Sequence, residues 1–150
     1  MMKASAAFYV EKFWPLVLSA ALSFFFFWNI KDGFCYDSLF DKSVDNALSI
    51  SGTLIGFFLT IFTVLSSINT RRMKFIRDQD AYSRVQKYLI NTIVWHFVSI
   101  LVLFLYPIIE SLPAYDYILP FHLSITLFSV IYSWTLSVRF SRIFFIILKS

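Results

Sequence analysis

Four long stretches of the chain carry no Asp, Glu, Lys or Arg: about residues 13–30, 46–68, 89–109 and 118–138. A helix needs ~20 mostly apolar residues, within a range of ~17–25, to cross a bilayer. Each stretch meets that length. Unbroken apolar runs such as Phe24 to Trp28 and Leu101 to Leu105 lack the alternation that barrel strands require. The pattern predicts an all-α membrane protein, a four-transmembrane-helix bundle forming one integral membrane domain over 1–150. Residues 69–88 contain no Gly or Pro. They predict a helical loop in which helix two continues through Arg77 and Asp80 caps the next helix. The end of the chain, from Arg139 to Ser150, is expected to prolong helix four or to lie on the membrane surface. The first stretch exits through Trp28-Asn29-Ile30-Lys31-Asp32, without a small-residue cleavage pattern, and is read as an uncleaved helix.

Composition supports this partition. Hydrophobic residues make up 59% and charged residues 15% of 150 positions, against ~25% charged in soluble domains. The basic residues also set an orientation. Lys3, Lys12, Arg71, Arg72, Lys74, Arg77, Arg84, Lys87, Arg139, Arg142 and Lys149 fall on one side, and only Lys31 and Lys42 on the other. The positive-inside rule then predicts that both termini and the central loop are cytoplasmic. The expected location is a bacterial inner (plasma) membrane. Arg71, Arg72, Lys74 and Arg77, interleaved with Met73, Phe75 and Ile76, are expected to rest on anionic inner-leaflet lipid or to contact a cytoplasmic sensor protein. No nucleic-acid-binding module surrounds them.

Polar residues inside the spans follow helical spacing. In span two, Asp45, Ser49, Gly52, Gly56, Thr60, Thr63 and Ser67 recur every three or four residues and share one face. Gly52 and Gly56 form GxxxG, which lets two helices approach closely. Two roles remain open for this face: packing, within one chain or between copies, and lining a wet pathway. Span four carries His122, Thr126, Ser129, Ser133 and Ser137 on one face, and span three carries Thr92, His96 and Ser99. Such stripes predict an interior with some polarity.

Catalytic and metal chemistry finds few candidates. The single Cys, Cys35, excludes an intramolecular disulfide and Cys-cluster metal sites. His96 and His122 differ in predicted depth by ~14 Å, at 1.5 Å per helical residue, too far for a shared metal or haem. No intramembrane carboxylate is available for proton-coupled drug export, and His96 with Ser99 on the same helix does not make a protease dyad. The expectation is a non-enzyme without cofactor.

Ser51-Gly52-Thr53-Leu54-Ile55, an apolar run, and then Asn69-Thr70-Arg71-Arg72-Met73-Lys74-Phe75-Ile76-Arg77 resemble the RexB-like family of small membrane proteins of phage exclusion. The resemblance covers about residues 49–82, with Gly52, Thr53, Arg71 and Arg72 as the matching positions. It implies a channel-like effector that depolarises the inner membrane when an intracellular phage sensor triggers it. The expected function is a homo-oligomeric pore-forming or membrane-depolarising effector. The alternative is a non-catalytic membrane anchor or accessory subunit that holds a partner through its helices.

Overall fold

The computed structural model describes residues 6–30, 37–67, 80–113 and 115–149. These are helical throughout apart from short turns, with no strand among them. The helices are α1 (Ala6–Ile30), α2 (Asp37–Ser67), α3 (Asp80–Phe104), α4 (Tyr106–Glu110) and α5 (Tyr115–Lys149). Three of them hold apolar segments long enough to cross a membrane: Val44–Leu65, Ser83–Glu110 (α3 with α4) and Tyr117–Phe145. The apolar part of α1, Phe13–Trp28, is shorter.

Helix bounds differ from the hydropathy pattern where helix outruns membrane. α2 begins at Asp37, nine residues before its apolar stretch, and α5 runs on to Lys149. The basic tail therefore continues helix four. α3 begins at Asp80, the position read as its cap. It does not run unbroken to residue 109, because the helix is interrupted at Leu105. Pro107 has no N–H to give the carbonyl of Leu103. At the break, Leu105 N shares its proton between Leu101 O and Val102 O, each at 3.2 Å.

α3 and α5 pack along each other at the centre, α1 packs on α5, and α2 packs on α3. Two apolar clusters tie α2 to this centre. Phe58 and Leu65 meet Val85, Leu89 and Phe140 at one end, and Ala47 meets Leu103 and Val130 at the other. Phe58 and Phe140 form an edge-to-face pair with centroids 5.4 Å apart, a contact worth ~0.5–1.5 kcal/mol beyond area. Trp95 and Tyr132 do the same across α3 and α5 at 4.6 Å.

The distribution of side chains is the reverse of a water-soluble bundle. Phe24, Phe25, Trp28, Leu101, Phe104 and Phe121 face outward, each at least 62% exposed. Ser19, Ser51, Thr92, His96, Ser99 and Ser133 are buried. Small and hydroxyl-bearing residues at helix contacts, with bulky apolar ones outside, suit a lipid surround. On α1 the buried face is Pro15, Ser19 and Ser23, four residues apart, and Ser19 Oγ bonds Pro15 O at 2.6 Å.

Candidate functional site

The polar residues of the spans separate into two unlike groups. The first is the face of α2. Its inward side consists of Ser51, Ile55, Phe58 and Leu65, all buried. The opposite side, Ser49, Gly52, Gly56, Thr60, Thr63 and Ser67, is exposed along its length. A methyl group placed on Gly52 or Gly56 meets no side chain and no other helix within 4 Å. Among the described residues, nothing packs against Gly52 and Gly56. Contact between copies or with a partner, and pathway lining, are the roles that fit an outward position of these two glycines.

Hydroxyls on this face are satisfied locally. Thr53 Oγ1 donates to Ser49 O at 2.8 Å, Thr60 Oγ1 to Gly56 O at 2.9 Å and Thr63 Oγ1 to Leu59 O at 2.9 Å. Ser67 Oγ donates to Val64 O at 3.1 Å. Each of these four keeps acceptor capacity on its oxygen, so the face is mildly polar.

The second group is a sealed seam between α3 and α5. Thr92, His96 and Ser99 face His122, Thr126, Ser129, Ser133 and Ser137, and all eight are buried. Ser99 Oγ directs its proton at two carbonyls, Trp95 O at 2.9 Å and Ser129 O at 2.8 Å across the interface. Ser129 and Ser133 bond back to Thr126 O and Val130 O at 2.9 Å each. His96 Nε2 lies 2.7 Å from Ser137 Oγ. The Ser137 proton goes to Ser133 O at 3.0 Å, so the imidazole donates from Nε2. Nδ1 is then a buried lone pair with no hydrogen-bond partner. An unpaired acceptor is the less costly orphan to bury, since unpaired N–H groups are the rarer.

This arrangement differs from a hydrolytic dyad. A nucleophilic serine directs its proton at the imidazole and has free backbone N–H groups nearby for an oxyanion. Here the proton points away, and Ser137 sits inside a continuous helix whose N–H groups are engaged. His122 is placed well apart from His96. It stacks on Tyr106, centroids 6.1 Å apart, and its Nε2 lies 3.4 Å from Thr126 Oγ1. Among the described residues no three of His, Cys, Asp and Glu converge on a metal position.

Comparison with protein families, curated proteins and solved structures finds no match.

Arg71, Arg72, Lys74, Arg77 and Cys35 lie outside the described residues. Sequence spacing alone did not separate the exposed stripe of α2 from the interior stripes of α3 and α5, because both have the same period. It also passed over a cluster at the basic end of the bundle, where Arg139 of α5 lies over the Tyr88 ring of α3, 4.4 Å from its centroid. The place of Arg139 directly after a long apolar stretch was the available signal.

Proposed function

We propose that this chain is a multipass inner-membrane protein that assembles as a homo-oligomer through α2 and permeabilises the membrane along a path between protomers. The observation that carries the proposal is the outward Gly52/Gly56 face, polar yet unoccupied within the chain. The α3–α5 seam is filled by its own side chains, so a conducting path fits between copies better than inside one. Four crossings with both termini cytoplasmic, α1 included, complete the proposal and follow the basic-residue count. The RexB-like pattern in Gly52, Thr53, Arg71 and Arg72 points the same way, to a depolarising effector of phage defence under a cytoplasmic sensor.

Substituting both Thr60→Val and Thr63→Val tests the path. The hydroxyls bond only their own helix, so folding and membrane level should be retained. Removing their oxygens should dry the path and weaken depolarisation severalfold in induced bacteria, read with a voltage-sensitive dye against wild-type. Equal depolarisation at equal membrane level would take the α2 face out of the path. Orientation has its own test. Cys35 is the only thiol, and an impermeant maleimide should label it in intact spheroplasts. Labelling only after permeabilisation would invert the topology.

One observation favours a second assignment. Because the hydroxyl protons of Thr53, Thr60, Thr63 and Ser67 are spent on their own backbone, these positions of the face can hold a partner's helix. A membrane anchor or accessory subunit would use it so. Reconstituted protein that oligomerises without conducting would support that role.

A further inference from the structure

A cavity of about 380 Å³ opens between α1, α3 and α5 at the basic end of the bundle. Its polar wall includes Lys87, Asn91 and Arg139; its apolar wall includes Phe13, Leu16 and Leu136. Two of the described lining residues, Lys87 and Arg139, are cations. Arg139 is only 7% exposed. An arginine near a helix end normally extends its guanidinium into water, leaving only the stem on apolar surface. Here the guanidinium carbon lies over the Tyr88 ring, 4.4 Å from its centroid, and the side chain is buried against the cavity wall. Phe13 and Leu16, by contrast, are 47% and 46% exposed on the outer surface of α1. The cavity therefore joins a cationic chamber to a lipid-facing apolar surface.

We propose that this cavity is a headgroup site for an anionic phospholipid. The phosphate lies between Lys87 and Arg139, the Asn91 amide donates to the headgroup, and the acyl chains run along the Phe13 and Leu16 side of α1. Guanidinium and ammonium groups supply charge-assisted hydrogen bonds to phosphate oxygens. The exposed apolar wall distinguishes a lipid from a soluble phosphate, which would have no use for it. The site depends on the chain's insertion in a membrane and not on conduction, so it can stand if the pore proposal falls.

The test uses the full chain, delipidated in neutral detergent, with dioleoyl-phosphatidylglycerol, dioleoyl-phosphatidylcholine and soluble glycerophosphoglycerol as probes. Native mass spectrometry reads retained lipid, and thermal unfolding reads stabilisation. Wild-type protein should retain the anionic lipid about tenfold better than the zwitterionic one. Lys87→Gln, at an exposed position that leaves packing intact, should remove most of that preference, and Lys87→Gln with Arg139→Gln all of it. Equal retention of both lipids by wild-type, or an undiminished preference in Lys87→Gln, would overturn the proposal. Displacement of the anionic lipid by equimolar glycerophosphoglycerol would overturn it as well, by showing a site for a soluble anion.

Discussion

Gly52→Leu combined with Gly56→Leu should abolish depolarisation while leaving the single chain folded. Both positions open outward with no other helix within 4 Å, so the added side chains cost nothing inside the protomer. Leu also favours helix over Gly by roughly 0.5–1 kcal/mol per site, to the extent that lipid preserves aqueous propensities. Between copies the same bulk keeps two backbones from closing, and small-residue contacts lose their basis. Chemical crosslinking should show loss of oligomers, and the dye signal on induction should fall at least about tenfold, as expected when a close-approach interface is lost. The neighbouring Ser51→Leu is the contrast. Ser51 is fully buried, so that change should damage the fold itself. Oligomers that persist in the Gly52/Gly56 variant would move the interface away from α2, and depolarisation without oligomers would remove the path between protomers.

Phe58→Ala should produce the largest loss of stability of any single truncation on α2. Phe58 is 1% exposed, stands edge-on to Phe140 and lies 6.0 Å from the His96 ring, centroid to centroid. Core Phe→Ala changes cost ~3–5 kcal/mol in water-soluble proteins. Lipid is as apolar as the core, so the transfer part shrinks and the lost contacts and cavity remain. The expected cost is about 2–3 kcal/mol, measured as the shift in unfolding midpoint in detergent. Phe57→Ala, one residue away and 57% exposed, should cost under about 0.5 kcal/mol. Equal losses for the two would mean that α2 is rotated about its axis relative to the packing described.

The helices themselves were legible because charge is excluded from bilayer depth. The absence of Asp, Glu, Lys and Arg over residues 46–68 and 118–138 marked the cores of α2 and α5. It could not mark their ends, since a helix continues into water at little cost, as α2 does from Asp37 and α5 does to Lys149. The break at Leu105 was readable from Pro107 and was passed over. Which face of α2 turns inward was not readable. In water, apolar residues identify the buried side; in lipid that criterion fails, and Ser51 and Ser49, two residues apart, end on opposite sides. The pairing of His96 with Ser137 required the register of α3 against α5, which no local pattern encodes.

The arrangement of α1 and α2 bears on how the molecule is made. They are consecutive in sequence, yet one docks on α5 and the other on α3. Among the described residues, neither helix provides the other's main packing surface. The buried Pro15, Ser19 and Ser23 side of α1 therefore depends on α5 for its cover, and α3 packs on both α2 and α5. A chain interrupted before α5 should leave α1 without its docking site and α3 with one side uncovered, and so be more open to proteolysis than the chain that contains α5.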